Sequence, residues 1–306
     1  MQTNLKIAIL DGFVINPGDL SWDELAELGE LKIYERTAPG DILARMEGCQ
    51  AVFTNKCRLT AEIMDRCPQL KFIGVLATGY DNIDVAYAKA RGIAVCNVPA
   101  YSSASVAQHT FALLLELCNH VALHNEAVQK GAWCRCPDYS LSLAPILQLS
   151  GRSLGIIGYG HIGRMVGKIA EGFGMEVRPY SLDPAAALAS DVISLHCPAT
   201  AENEGFVNRE FLSRLKDGAL LINTARGSLI NEADLVWALK SGKLAGAALD
   251  VISAEPMAAD SPLLGVPNLL ITPHIAFASR EARAIVCSTS AANLRSFLAG
   301  EELNRL

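Results

Sequence analysis

The chain lacks long hydrophobic runs, an excess of basic charge, clustered metal ligands, repeats and low-complexity tracts. The longest apolar runs, such as 111–115, are far short of the roughly 18 residues of a membrane-span candidate, so no membrane partner is expected. Asp11 interrupts the only apolar stretch near the start, and residues 1–20 do not read as a signal peptide. With 26 Lys+Arg against 32 Asp+Glu and a formal charge of −6, the basic footprint of a nucleic-acid binder is missing. That balance fits a small-molecule enzyme with local positive groups. The nine cysteines are odd in number and scattered from Cys49 to Cys287, and without a signal peptide they read as reduced thiols of a cytoplasmic protein. Cys134-Arg135-Cys136 is the only close pair, and no Cys or His follows at ligand spacing, so no metal is expected.

What is present is a chain of 306 residues, 51% hydrophobic and 19% charged. It is long enough for one large domain or two ordinary ones with a sizeable core. Strand-like apolar runs fall at 6–10, 51–54, 72–76 and 93–98, and again at 153–158, 175–180, 192–197, 219–224, 245–251 and 268–272. They are continuous rather than alternating, as parallel strands buried on both faces require. With amphipathic segments between them, they predict an α/β architecture. Pro99 ends the first series. A long helix predicted over 103–130 carries Val106, Phe111, Leu114, Leu117 and Val121 spread around it, too much apolar surface for a lone surface helix. It is expected to link the two units and to lie between domains or against another subunit. The last amphipathic segment, 280–298, is placed to return to the first unit.

Leu154-Gly155-Ile156-Ile157-Gly158-Tyr159-Gly160-His161-Ile162-Gly163 is an apolar strand entering G-x-G-x-x-G, and a helix follows. In that context it is a dinucleotide signature. Gly158 permits the tight turn, Gly160 lets backbone approach a pyrophosphate, and Gly163 lets helix and strand pack closely. N–H groups at the helix start hold phosphate charge. Where a ribose-binding acid is expected stands Tyr180-Ser181, with Asp183 two residues on and Arg178 the only local cation, which leaves NAD against NADP open. Only 181–191 separates two strands that a doubly wound fold joins through a helix and a third strand. Those residues suffice only for a direct crossing of the sheet, at most roughly 40 Å if extended. Either the third strand is absent or a segment is missing.

Arg226, Glu255 and His274 each follow a strand-like run, so each stands near the carboxyl end of a parallel strand, where open α/β sheets bind ligands. An arginine can clamp carboxylate and carbonyl oxygens. A histidine can exchange the hydroxyl proton of a hydroxy acid. A carboxylate can orient the imidazole and favour its charged form. Singly, each reads as a loop cap, a solvated residue or a satisfied strand-end histidine. The three together in a dinucleotide fold point to catalysis. His109, His120 and His124 read as packing or surface residues of the long helix, His196 has no such setting, and His161 sits in the glycine turn.

These motifs, with Val75-Leu76-Ala77-Thr78-Gly79-Tyr80-Asp81, Asn223-Thr224-Ala225-Arg226-Gly227, Asp250 to Pro256 and Thr272-Pro273-His274-Ile275-Ala276, resemble the D-isomer-specific 2-hydroxyacid dehydrogenases over nearly the whole chain. Asn97-Val98-Pro99-Ala100-Tyr101-Ser102 and Ser105-Val106-Ala107-Gln108-His109 resemble the glycerate dehydrogenase, or hydroxypyruvate and glyoxylate reductase, subgroup. The resemblance implies two Rossmann-like domains with parallel sheets and flanking helices. A discontinuous substrate domain (1–98 plus 280–306) encloses a dinucleotide-binding domain (99–279). It implies Arg226 as substrate anchor, His274 as acid/base and Glu255 as its partner. The Ala77-Thr78-Gly79 backbone would receive the substrate carboxylate. Gly158, Tyr159, Gly160, His161, Ile162 and Gly163 would form the phosphate turn. Thr224, Ala225 and Asp250 would border the nicotinamide, Val106 its face, and Cys197 and Pro198 the ribose side. NAD or NADP is the implied cofactor, hydroxypyruvate or glyoxylate the implied substrate, and a homodimer through 103–130 the implied assembly. Other D-2-hydroxy acids, or a corepressor-like dinucleotide sensor, are the alternatives. His161 in place of a frequent arginine, Phe277 in place of a common tryptophan, and the segment 139–143 depart from the family pattern in ways that bear on substrate preference, not on the reaction.

Overall fold

Continuous apolar runs become two parallel sheets in the computed structural model, which describes residues 5–306; the first four residues of the stretch read as signal-free lie outside them. The strands are β1 (Lys6–Ile9), β2 (Glu30–Ile33), β3 (Ala51–Thr54), β4 (Phe72–Val75), β5 (Ala94–Cys96), β6 (Ser153–Ile157), β7 (Glu176–Pro179), β8 (Val192–Leu195), β9 (Ala219–Asn223), β10 (Leu244–Leu249) and β11 (Leu269–Ile271). One sheet has the order β2-β1-β3-β4-β5, the other β11-β10-β9-β8-β6-β7. The chain forms two units, one of the described residues to Ser102 with Ala278–Leu306, the other of Ser103–Phe277.

In the first unit Ala8, Leu10, Val52, Ile73 and Val75 build a core with Met46 and Met64 from flanking helices. The helix Arg280–Ala299 belongs to this unit: Phe297 packs on Phe72 of β4, Arg283 grips the Asp19 carboxylate at 2.7 Å through both terminal nitrogens, and Asn293 donates to the Asn97 carbonyl. β2 is a strand that the apolar pattern does not reveal. As an edge strand it buries little, so Glu30 and Lys32 are tolerated.

In the second unit successive residues of one strand serve opposite faces. Ile193, Leu195, Leu221, Ala247 and Leu249 face the helices Arg209–Arg214 and Glu232–Lys240. Val192, Leu220, Ile222 and Ala248 face the helices Ser103–Asn119 and His161–Gly172. This two-sided burial is the reason for the continuous hydrophobic runs.

Two expectations change. The helix over 103–130 is two helices, Ser103–Asn119 and Val121–Gln129, broken at His120 with a left-handed φ of 49°. The Glu116 carboxylate accepts from the Ala122 N–H and so closes the second helix's open start. The apolar face of the first helix is spent on its own unit, where Phe111, Leu113, Leu114 and Leu117 are buried. Between β7 and β8 there is no third strand. The chain crosses as one helical turn, Pro184–Leu188, rather than as extended chain.

Candidate active site

Three neighbouring strands lead into the candidate site residues. β9, β10 and β11 lie side by side, and the residues beyond their carboxyl ends include Arg226, Glu255 and His274. After β9, the buried Asn223 side chain donates to the Arg226 carbonyl at 2.8 Å and accepts from the Ala225 N–H at 3.0 Å, which fixes the turn that presents Arg226. The guanidinium is half-buried and donates to the Ala225 carbonyl at 2.8 Å. Gly227 follows because nothing larger fits: a Cβ there would lie 1.9 Å from the Ile252 carbonyl of the β10 loop. In that loop the Ile252 N–H donates to Glu255 Oε1 at 3.2 Å.

Glu255 Oε2 lies 2.6 Å from His274 Nδ1. A carboxylate only accepts, so Nδ1 carries the proton and Nε2 is the nitrogen left to exchange one. His274 has a left-handed φ of 54°, unusual for a residue with a side chain. Its N–H is held by the carbonyls of Asp250 and Thr272 at 2.8 and 3.0 Å. Phe277 and the imidazole pack nearly perpendicular to each other, with 5.8 Å between ring centroids.

Asp250 braces this loop. Its buried carboxylate accepts from Thr272 Oγ1 at 2.6 Å and from the Ile275 and Ala276 N–H groups at 2.9 Å. Burial by itself would raise the Asp250 carboxyl, but His109, Thr272 and the two backbone donors outweigh it and hold it below the usual carboxylate range. The sequence reading placed His109 among packing residues. The structure gives it a place here instead, with Nε2 2.9 Å from Thr272 Oγ1 and 3.4 Å from Asp250 Oδ1. The Thr272 hydroxyl spends its single proton on Asp250, so His109 Nε2 is the donor to Thr272. The signal was available only as a histidine on a buried helix face. Thr224 is tied likewise: Thr110 gives its proton to the Val106 carbonyl, so Thr224 donates to Thr110 at 3.1 Å.

The glycine turn ends β6 beside β8, where strand order reverses. Gly158 has φ 96°, and a Cβ on it would lie 2.4 Å from the Cys197 N. A Cβ on Gly163 would lie 2.2 Å from the Gly158 carbonyl oxygen. Above Gly160 there is open space, and the helix His161–Gly172 begins without a side-chain cap. Unpaired N–H groups beneath open space fit a pyrophosphate. Tyr159, His161, Ile162, Cys197 and Pro198 stand around this turn and the neighbouring end of β8, and Val106 is buried on the helix Ser103–Asn119. In the first unit, the Ala77-Thr78-Gly79 turn follows β4 and is pinned by Thr78 Oγ1 to the Val98 carbonyl at 2.7 Å and by Asn97 to the Thr78 carbonyl at 2.8 Å.

A switch-point glycine turn with a carboxylate–histidine pair and an arginine at adjacent strand ends defines a dinucleotide-dependent oxidoreductase. The family model for the D-isomer specific 2-hydroxyacid dehydrogenase, NAD binding domain, matches residues 111–276. The chain is 45% identical to a hydroxypyruvate reductase of Blautia hydrogenotrophica, covering 98% of this chain and 99% of that one. It is 38% identical to a glycerate dehydrogenase of Methylorubrum extorquens, covering 90% and 91%. Its fold matches an NADPH-dependent glyoxylate/hydroxypyruvate reductase from Sinorhizobium meliloti, solved with NADP and malonate, with a TM-score of 0.83 at 30% identity over 99% and 97% of the two chains. The chain belongs to the D-isomer-specific 2-hydroxyacid dehydrogenases and is an NAD(P)-dependent enzyme of that family.

Proposed function

We propose that the protein reduces hydroxypyruvate or glyoxylate to D-glycerate or glycolate, with His274, Glu255 and Arg226 as its working side chains. The observation that carries this reading is the 2.6 Å hydrogen bond from His274 Nδ1 to Glu255, at a strand end next to that of Arg226. When bound, the dinucleotide supplies the hydride. The Gly158–Gly163 turn holds its phosphates, Thr224, Ala225, Val106 and Asp250 border its nicotinamide, and Cys197 and Pro198 border a ribose. His274 Nε2 gives a proton to the carbonyl oxygen as it becomes a hydroxyl, and takes it back in the oxidative direction. Glu255 keeps the imidazole oriented and offsets its positive charge. Arg226 anchors the carboxylate and polarises the carbonyl. In the first unit, the N–H groups of Ala77, Thr78 and Gly79 are the groups suited to a carboxylate. The names of the relatives support the substrate, and the nine unpaired thiols support a cytoplasmic setting.

The domain roles follow: Ser103–Phe277 binds the dinucleotide, and the remainder serves the substrate. A homodimer is supported by exposed apolar side chains between 121 and 146, among them Val121, Trp133 and Ile146.

His274→Ala should lower kcat by about 10²- to 10⁴-fold, and Arg226→Ala should lower kcat/KM, while NADH still binds to both. Unchanged turnover in either variant would sink the assignment. A panel of 2-keto acids tests the substrate: preference for pyruvate or a phosphorylated keto acid would replace hydroxypyruvate and glyoxylate.

A further inference from the structure

The segment between β7 and β8 plays no part in the chemistry above, yet it is built with care. β7 is the outer strand of its sheet. The Glu176 and Tyr180 N–H groups donate inward to the Arg152 and Ile156 carbonyls at 2.8 and 2.9 Å, so Val177 and Pro179 present their backbone nitrogens to the open edge. Pro179 has no N–H to offer a further strand. The chain then turns back at once, with the Leu182 and Asp183 N–H groups donating to the Pro179 carbonyl at 3.1 and 3.2 Å. The turn Pro184–Leu188 crosses β6 so closely that a Cβ on Gly155 would lie 2.3 Å from the Ala187 carbonyl oxygen. The short crossover is therefore matched on both sides, by an edge that resists extension and by a strand glycine that admits the crossing.

This crossover adjoins the carboxyl end of β7. In dinucleotide folds the adenosine ribose lies at that end of the second strand, where a carboxylate selects the 2′-hydroxyl of NAD and a cation the 2′-phosphate of NADP. Here the position is Tyr180-Ser181, and the nearby charges are already committed. The Arg178 guanidinium holds the Glu176 carboxylate at 2.9 and 2.7 Å and reaches the Ala186 carbonyl at 3.4 Å. Asp183 Oδ1 accepts from the Ala186 N–H at 3.0 Å as the cap of the crossing helix. Ser181 is exposed, and a hydroxyl bonds a ribose hydroxyl or a phosphate oxygen equally well.

We propose that Ser181 is the residue at the adenosine 2′-position and that this uncharged position accepts NADH and NADPH with similar affinity. The inference rests on the dinucleotide-binding reading above. Titration of the substrate-free, full-length protein with each reduced dinucleotide, followed by the fluorescence of the bound nicotinamide, tests it. Kd values within tenfold of each other are expected, and a larger preference for either overturns the proposal. Ser181→Asp should shift the ratio of the two Kd values at least tenfold towards NADH, and Ser181→Arg should shift it towards NADPH. An unmoved ratio in both variants places the 2′-position elsewhere and also overturns it. Binding of neither dinucleotide overturns the dinucleotide-binding reading itself, and this proposal with it.

Discussion

The histidine proposed as acid and base depends on residues that do not react. His274 holds a left-handed backbone, a conformation costing on the order of 1–3 kcal/mol, and it persists because Asp250 ties down both sides of the loop. His109 is the helix-borne donor to that brace, through Thr272. His109→Leu removes the donor and leaves Thr272 and Asp250 held from one side only, by each other and by the Ile275 and Ala276 N–H groups. Because small misplacements at a reacting centre are costly, kcat should fall about tenfold to a hundredfold, with NADH affinity changed far less. His109→Gln, whose amide can donate to Thr272, should recover most of the loss. Equal kcat in the leucine variant and the parent would remove His109 from the site. The roles proposed for Arg226, Glu255 and His274 rest on residue type and position after apolar runs, both visible in the chain. His109 was not visible as a site residue, because a helical histidine acquires its partners only when the helix packs on β9 and β10.

At the scale of elements, strands buried on both faces were legible and β2 was not, since an edge strand needs no hydrophobic run. The break at His120 was equally hidden: it depends on a side-chain cap by Glu116, and the apolar spacing continues through it. The crossover after β7 was legible as a shortage of length, but its form was not. Its dependence on Gly155 gives a direct test. Gly155→Ala places a Cβ against the Ala187 backbone, which cannot yield as a side chain would. A loss of roughly 1–3 kcal/mol is expected, read as a lower midpoint in thermal or urea unfolding. Gly160→Ala has open space and should leave that midpoint nearly unchanged. Equal midpoints for Gly155→Ala and the parent would show that the crossing helix yields.

For the molecule as a whole, two predictions concern assembly and acid stability. If a second copy covers the apolar band, sedimentation should report a dimer, and Val121→Glu combined with Trp133→Glu should halve its mass. A monomeric parent would refute the assembly. One contribution to acid stability comes from His196, whose Nε2 bonds Ser194 at 2.8 Å and whose Nδ1 is buried without a partner. Burial pushes this imidazole down to about 3 from an ordinary value of 6.5. Below pH 6.5 the unfolded chain takes up a proton that the folded one refuses. The contribution of His196 is thus whole above that pH and is lost, by up to about 1.4 kcal/mol per pH unit, as pH falls towards 3. Asp191 acts lower: burial would raise it, but Lys216 and Ser153 outweigh that and hold it at about 2. Between pH 7.5 and 5 the parent should therefore lose more thermal stability than His196→Gln. Parallel losses would acquit His196.

The sequence by itself determined the α/β class, the two sheets and the family. It did so because two-sided burial demands continuous apolar runs, and because a glycine turn and strand-end polar residues are local features of the chain. The tertiary structure alone decided the atoms and distances at which side chains meet. It joined His109 to Thr272 and Asp250, set Glu255 on His274 Nδ1 and carried a single helical turn across Gly155. Each of these pairs residues far apart in the chain or fixes a backbone path, and neither spacing nor composition encodes the distance at which two packed elements meet.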